Sequence, residues 1–526
     1  MFNFDDLSSL LKSLLRPGSI TFRQLLWLAL PSLAIGLLFR GAMMLAIPVG
    51  YFGDDSFSYY EFSQRLFDEG IVDLNEKRRW LYPIFLAFVD ALPGPGWTAV
   101  PLIQHVIGLF TVLGIGWCSA QLAIRPVIVV PLVTALAAIW PRMLWYEHEF
   151  IAESLLLAGF VAVLALLLTP GIVRRRYGLI ALMFAFVMLA GMKGSGRFLW
   201  MGSVMSLFLI HRNPVRWLWG KISLVLAAIS IFLVITIGKS AQGDWLALSS
   251  ALPLVRAEGD PYPYYRNALK PQIFEARQYG DDYPWVVKVY KKRLSTSSPD
   301  VIGPDWVKLK DDNQKFSTVS RTFWVDGVLR QPVRFAGMTW KTMLIALSGS
   351  ILNPRLDPEQ FWQRQEGKIM KRWNRESQYF NRLVGVDRQS FRPSLFKSKN
   401  RQFALRPVMF WLDRHFSWLG RSPSPSFSGS GSKGGFPSFV PQPLGVTALL
   451  GMVFGFVCSR KNLQCFALFL PLLLYMLGTF AVGDAVRRYL QPVEWIGFVF
   501  VGVLFDRLFH VGHHLLVVLK AQRVVS

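Results

Sequence analysis

The chain has 526 residues, of which 52% are hydrophobic and only 17% are charged. Soluble domains carry about a quarter charged residues, so this composition excludes most water-soluble folds and predicts a membrane protein. The formal net charge of +24 at first suggests a nucleic-acid partner. The Lys and Arg residues, however, lie in short loops between apolar runs and in one long polar segment. That placement is expected of cytoplasmic loops and of surfaces that bind anionic headgroups or lipid phosphates, so no nucleic acid is predicted.

The N-terminal region has basic residues before an apolar run, as a signal peptide does. The run from Leu25 to Val49 is too long for the apolar part of a signal peptide and lacks a clear small-residue cleavage site. It therefore predicts a retained first span. The cysteines Cys118, Cys458 and Cys465 lie in or beside apolar runs without metal-ligand spacing, so no disulfide framework is predicted.

The apolar runs that follow predict an all-α polytopic membrane protein with about ten crossings, since a bilayer core of about 30 Å needs roughly 20 apolar residues. Basic residues at 174–176, 212–221 and 460–461 lie in short loops, which places these loops and both termini in the cytoplasm. The opposite side then receives most of the unusual polar residues. The predicted spans are 25–48, 97–122, 126–145, 150–169, 177–194, 197–211, 221–238, 441–459, 463–482 and 489–508.

These spans divide the chain into three parts. Residues 1–238 are predicted to form an N-terminal transmembrane module with its first external loop at 49–96, and residues 441–526 a C-terminal one. Between them, 239–440 is predicted to be extracytoplasmic. It contains two semi-apolar pieces, 335–352 and 403–420, whose internal charges favour helices on the membrane surface over a transmembrane hairpin. Its end, 421–443, is a Ser/Gly/Pro-rich linker.

The first acidic motif, GDDSFSYYEFSQRLFDEG, follows the first span at residues 53–70. Its apolar residues recur at helical spacing and Gly70 ends the pattern, which predicts a short helix. Asp54 or Asp55 is a favoured residue to cap such a helix. A cap needs only one carboxylate, however, and a pair at the membrane surface also suits a general base or a ligand of a divalent cation.

The second acidic motif, YEHEFIAESLLLAGF, covers residues 146–160. Glu147 and Glu149 are expected in a short external loop near His148, and Glu153 about one turn inside the fourth span. An ionisable residue inside a membrane helix is a functional candidate, because burying it without a partner is costly. Against that, Glu153 is close enough to the helix end to reach interfacial water.

Several cations lie on the predicted external side, where the positive-inside rule does not place them. Anchoring to headgroups explains such residues, and so does recognition of a phosphate, for which Arg offers two parallel donors and Lys a point charge. The candidate phosphate ligands are Arg78, Arg79, Lys193, Arg197, Arg487 and Arg488.

Together these motifs resemble the GT-C superfamily of membrane glycosyltransferases, most closely its branch of protein O-mannosyltransferases and lipid A aminoarabinose transferases. The family pattern D-S/E-x-x-Y-x-x-x-A-x-x-L-x-x-G is similar to the stretch from Asp55 to Gly70, with Ser63 in place of Ala. The R-x-P-L-Y-P-like stretch resembles 78–83. A later G-x-x-x-x-x-R resembles 191–197, and R-Y-x-x-P resembles 488–492. The basic 239–440 segment has no familiar counterpart, which puts the acceptor in doubt rather than the donor.

The resemblance implies transfer of a sugar from a polyprenyl-phosphate donor to an extracytoplasmic hydroxyl of a glycan, lipid or protein. Phosphate is already a good leaving group, so one inverting displacement needs a carboxylate base and cations near the phosphate. Asp55 is the expected base, supported by Asp54 and Glu153. The expected pocket residues are Tyr59, Tyr82, His148 and Tyr489. Some relatives use a divalent cation (Mg or Mn), for which Asp54 and Asp55 are candidate ligands.

Other functions fit parts of the same pattern. A polysaccharide ligase or polymerase with diphosphate-linked donors is the nearest enzyme. A transporter or flippase would explain the spans but predicts broken helices and polar residues in mid-span, of which the sequence shows few. A non-catalytic subunit of envelope-polysaccharide assembly would explain the basic segment. The expected location is the bacterial cytoplasmic (inner) membrane, with the site on its extracytoplasmic face.

Overall fold

A computed structural model describes residues 20–46, 79–92, 99–172, 175–210, 251–260, 262–278, 313–347, 443–457, 462–480 and 491–525, together with 248 and parts of 55–63. These residues form α-helices and no β-strand. The helices are α1 (Phe22–Ala46), α2 (Leu81–Asp90), α3 (Ala99–Leu122), α4 (Pro126–Ile139), α5 (Pro141–His148), α6 (Glu153–Leu168), α7 (Arg176–Met192), α8 (Gly196–Ile210), α9 (Pro263–Ala268), α10 (Lys270–Gln278), α11 (Asn313–Arg330), α12 (Pro332–Leu347), α13 (Pro443–Val457), α14 (Asn462–Phe480) and α15 (Gln491–Val525).

The all-helical prediction is confirmed for the described residues. Three helical stretches there are long and apolar enough to cross a membrane: Phe22–Leu45, Ala99–Leu122 and Pro492–Gly512. Shorter apolar helices, such as Glu153–Leu168, lie between them. The total of about ten crossings stays a prediction, and the predicted span at 221–238 lies outside the described residues.

The predicted span at 126–145 is wrong as a single helix. α4 ends at Ile139 and α5 begins at Pro141, with Trp140 between them in an extended conformation (φ −64°, ψ 117°). A proline disfavours the helical conformation of the residue before it, which is the physical reason for the break. The break makes α5, with its polar end, a helix separate from α4.

α3 lies in the core and packs against α1, α4, α5, α6 and α15. Close approach is possible because small residues lie at the crossings. A Cβ on Gly116 of α3 would lie 2.7 Å from Thr134 of α4 and 3.3 Å from Leu25 of α1. Gly202 of α8 likewise faces the backbone of Pro471 in α14. Membrane helices associate through such small-residue contacts, because lipid gives no hydrophobic drive between helices.

The C-terminal helix is tied to the turn between α3 and α4 by buried charges. Asp506 accepts hydrogen bonds from the backbone N–H groups of Ile124 (2.7 Å) and Arg125 (2.9 Å). Its neighbour Arg507 donates to the Leu122 carbonyl and to Asp506. These bonds supply partners for backbone groups that the ends of α3 and α4 leave without intrahelical ones.

The described part of the middle segment has a small core of its own. Arg266 is fully buried there, donates to Asp326 at 3.0 Å and lies over the ring of Phe323. α12 packs against α14, so this segment contacts the C-terminal module. Placement of 335–352 on the membrane surface stays a prediction, and 403–420 and 421–443 lie almost wholly outside the described residues.

Candidate functional site

A buried chain of ionisable side chains connects α1, α3 and α5. Arg40 donates from Nε and Nη2 to the two oxygens of Glu147, each at 2.7 Å. His105 Nδ1 lies 3.0 Å from Glu147 Oε2, and His105 Nε2 lies 2.8 Å from His148 Nδ1. All four side chains are at most 3% exposed. A bidentate Arg–carboxylate pair of this kind is among the strong hydrogen-bonded pairs, and it satisfies two charges that are costly to bury alone.

Glu147 was expected in a short external loop, and the structure corrects the loop, because Glu147 lies in a helix. It lies in α5 and is 2% exposed. Pro141 starts a new helix after Trp140, and α5 packs on α3, which carries the Glu147 side chain inward onto Arg40 and His105. Glu153 is also placed differently, because α6 begins at Glu153 rather than one turn before it.

A second polar chain runs from α5 to the first acidic motif. The Gln104 side-chain NH₂ donates to the backbone carbonyls of Glu147 and Glu149, each at 2.9 Å, so its oxygen is left to accept from the Tyr82 hydroxyl at 2.9 Å. The Tyr82 ring packs edge-on against Tyr59 at 5.0 Å. Tyr59 N–H donates to the Asp55 carbonyl, one turn earlier. Asp55 therefore lies one turn of helix and two aromatic rings from Gln104.

Tyr82 also lies near the acidic residues of α5 and α6. Burial raises the pKa of Tyr82 well above its usual value, and the neighbouring Tyr59, Glu153 and Glu149 raise it further. A phenol in such surroundings stays protonated at neutral pH and acts as a hydrogen-bond donor.

Glu153 forms an ion pair with Lys193. The sequence analysis expected Glu153 to support the base and Lys193 to bind phosphate. The Glu153 side chain is 2% exposed and that of Lys193 13%. Lys193 follows the end of α7, and Glu153 begins α6, whose packing on α7 brings the two charges together. Lys193 thus balances the negative charge of Glu153, and Glu153 lies near Tyr82.

Arg79 and Arg197, which come shortly before Tyr82 and shortly after Lys193 in the chain, lie within electrostatic range of one another. Burial and the nearby charge of Arg197 lower the pKa of the Arg79 guanidinium. The neighbouring segments pack closely, since a Cβ on Gly191 would lie 3.2 Å from Trp80, and Gly196 lies against Leu156 and Leu189. Arg321 of α11 also lies within electrostatic range of Arg197. Positive side chains that lie close together repel one another and create a positive potential, which favours the binding of an anionic ligand.

The structure brings eight of the predicted site residues together in one group around α2, α3, α5 and α6. The residues in that group are Asp55, Tyr59, Arg79, Tyr82, His148, Glu153, Lys193 and Arg197. Five others, Asp54, Arg78, Arg487, Arg488 and Tyr489, lie outside the described residues, and their roles stay predictions.

The sequence predictions did not include Arg40, Gln104 or His105. Each is a polar residue inside an apolar helix, and that position alone is a signal of function. Their partners lie far away in sequence; Glu147 is 107 residues from Arg40. The described residues contain no group of three or more His, Cys, Asp or Glu able to hold a metal ion. A divalent cation at Asp54 and Asp55 stays a prediction.

Gly108 gives a direct test of the Glu147 position. A Cβ at Gly108 would lie 2.1 Å from Glu147 Oε1, whereas a Cβ at Gly41 would meet nothing within 4 Å. Gly108→Ala is expected to destabilise the protein by about 1–3 kcal/mol, as overpacking does, while Gly41→Ala has little effect. The measurement is the midpoint of thermal unfolding in detergent. Equal midpoints for both variants would contradict the placement of the carboxylate.

Neither a protein-family model nor a curated protein matches the chain. Among solved structures, the chain is similar to the oligosaccharyltransferase of Archaeoglobus fulgidus. In complex with Zn and sulfate, that structure gives a TM-score of 0.36 at 12% identity, over 93% of this chain and 51% of that one. The structure tethered to an acceptor peptide with the NVT sequon gives 0.37 at 9% identity. The chain thus spans about half the length of these structures.

The chain is also similar to ArnT from Cupriavidus metallidurans bound to undecaprenyl phosphate. The TM-score is 0.32 at 14% identity, over 88% of this chain and 77% of that one. At such TM-scores a likeness carries no argument about activity, which has to be argued from the residues of this chain.

Proposed function

We propose that this chain is a membrane glycosyltransferase of the GT-C kind. It transfers a sugar from a polyprenyl phosphate to an acceptor hydroxyl on the extracytoplasmic side of the membrane. The observation that carries the proposal is the convergence of one acidic and one basic group of side chains. Asp55 lies one helical turn before Tyr59, which packs on Tyr82, and Glu153 lies near Tyr82. Lys193 pairs with Glu153, and Arg79 and Arg197 lie within electrostatic range of one another.

The acidic and the basic side chains have different roles in the proposed reaction. Asp55 takes the proton of the acceptor hydroxyl as its oxygen attacks the anomeric carbon, and the bond from that carbon to the phosphate oxygen breaks. One displacement inverts the configuration at the anomeric carbon. Arg79 and Arg197, with Arg78, Arg487 and Arg488 as further proposed ligands, stabilise the negative charge that grows on the departing phosphate.

A proton-coupled transporter or flippase is the second candidate, and the buried Arg40–Glu147–His105–His148 chain is the observation that favours it. Ionisable side chains inside membrane helices are common in proton pathways of transporters. The two functions differ in whether a covalent product forms. Purified protein in nanodiscs should transfer radiolabelled sugar from at least one of a panel of polyprenyl-phosphate sugars. Vesicle uptake without any transfer product would favour the transporter.

Arg197→Ala tests the phosphate role. Losing one charge-assisted hydrogen bond costs about 1.5–3 kcal/mol, which corresponds to roughly 10–100-fold weaker binding of the donor. The control is Arg175→Ala, an exposed residue directly before α7 at its predicted cytoplasmic end. The measurement is the affinity for a fluorescent polyprenyl phosphate. Equal loss of affinity in both variants, or none in Arg197→Ala, would contradict the assignment.

A further inference from the structure

Helices α11 and α12 of the middle segment follow one continuous helical path, which we call the α11–α12 rod. Gln331, the residue between them, donates its backbone N–H to the Gly327 carbonyl at 3.1 Å, and its own carbonyl accepts from the Phe335 N–H at 2.9 Å. Both bonds join residues four apart, as in an α-helix. Side chains four residues apart therefore lie on the same face from one helix to the next.

One face of the rod packs on the core of the middle segment. Val319 and Phe323 of α11 are buried in that core. Further along, a Cβ on Gly327 would lie 3.0 Å from Leu254, and Met338 of α12 is buried against the same leucine. The rod thus has an inner face along most of its length, and its opposite face points away from the core.

The opposite face changes from polar to apolar along the rod. Near its start, the exposed residues are Thr318 and Arg321. From the next turn on, four large apolar side chains on this face are between 47% and 85% exposed, and we call them the outer stripe: Val325, Leu329, Val333 and Trp340. At 1.5 Å per residue the stripe is about 22 Å long. A protein surface in water rarely presents such a stripe, so we expect it to be covered.

The surroundings of the outer stripe fit a lipid bilayer. α12 packs on α14, one of the apolar helices of the C-terminal module, so the rod lies beside the membrane part of the chain. Two cations, Arg330 and Arg334, directly follow two residues of the stripe. Arg330 shares Asp326 with the buried Arg266, so this group of three keeps a net positive charge, which suits anionic headgroups. Trp340 is of a residue type that is enriched at membrane–water interfaces.

We propose that the outer stripe of the α11–α12 rod lies among the acyl chains of the bilayer, with the cations beside it at the lipid headgroups. The change of polarity along the rod means that its side enters the hydrocarbon at Val325, whereas the turn before it stays in the headgroup region. The membrane contact therefore begins well before the predicted surface piece at 335–352. The inference goes beyond the proposed function, because it holds for a transferase and for a transporter alike.

This placement has a consequence for the cations proposed to bind the donor. Arg321, one turn before Val325, lies at the level of the headgroups, where the phosphate of a lipid also lies. Arg321 is within electrostatic range of Arg197 of α8. A guanidinium proposed to bind the donor phosphate thus lies near a residue at phosphate depth, a step that rests on the proposed function.

Fluorescent labels on cysteine substitutions test the depth of the stripe and need no activity. Val333→Cys is labelled in nanodiscs of phosphatidylcholine and phosphatidylglycerol, and Thr318→Cys is the matched control on the same exposed face. The label at 333 is expected to lose about half of its fluorescence or more to a nitroxide within the acyl chains, because a face in hydrocarbon lies roughly 5–10 Å below the headgroups. The label at 318 should instead be quenched by acrylamide from the water.

Leu329→Cys is a second probe of the stripe, and the unsubstituted protein, labelled in parallel, gives the background of the three native cysteines. Equal quenching by acrylamide at 318, 329 and 333 would mean that the stripe faces water and would overturn the proposal. Labels at 329 and 333 that are shielded from both quenchers would mean that protein covers the stripe, such as a second copy of this chain, and would overturn it too. None of these readings depends on sugar transfer, so a failure of the proposed function is seen separately, in the transfer assay.

Discussion

Asp55→Asn is expected to lower the rate of sugar transfer on the order of 10²–10⁴-fold while the protein still folds and binds its lipid donor. Asn keeps the size of the side chain and ranks with Asp as a helix-capping residue, so the short helix after Asp55 is retained. The substitution removes the negative charge and the basicity that the proposed base needs. The measurements are the transfer rate and the affinity for polyprenyl phosphate in nanodiscs.

Asp90→Asn is the matched control for this experiment. Asp90 ends α2 in the same predicted external segment and has no assigned role in the site. It should leave the transfer rate within a few-fold of wild type. Wild-type turnover by Asp55→Asn would remove Asp55 from the mechanism and make Asp54 and Glu153 the next carboxylates to test. Equal losses in Asp55→Asn and Asp90→Asn would indicate a general effect of charge on the segment.

Glu147→Leu is expected to cost about 3–5 kcal/mol of stability, because it leaves the Arg40 guanidinium buried without its carboxylate. Both side chains are at most 2% exposed, so water cannot replace the lost partner. The double variant Arg40→Met/Glu147→Leu replaces the pair by apolar groups and should recover much of the loss, although His105 Nδ1 still lacks its acceptor. Thermal unfolding in detergent measures all three proteins.

Lys270→Leu provides the comparison for this cycle. Its ion pair with Glu258 is solvent-exposed, with side-chain exposures of 40% and 71%, and should change the unfolding midpoint very little. A double variant no more stable than Glu147→Leu alone would contradict the unpaired charge as the cause of destabilisation. The packing of Glu147 against Gly108 would then be the remaining explanation.

The sequence by itself determined the class of protein and most of its helices. Runs of apolar residues long enough to cross a bilayer are a local property, so α1, α3 and α8 begin and end within a few residues of their predicted bounds. The acidic motifs were also recognisable locally, because a carboxylate beside or within an apolar run is rare. Pro141 marked a helix break in the same local way, although the predicted span of 126–145 ran through it.

Only the tertiary structure decided which charges meet. Arg40 and Glu147 are separated by 107 residues, and their pairing depends on how α1, α3 and α5 pack, which no local pattern encodes. The same holds for Lys193, which was predicted to bind phosphate and lies against Glu153. Burying a charge costs less free energy when an opposite charge lies within reach, and the packing of the helices determines which opposite charge that is. The sequence singled out Glu147 and His148 only as parts of an acidic motif, and the packing of α5 on α3 joined them with His105 in one hydrogen-bonded chain.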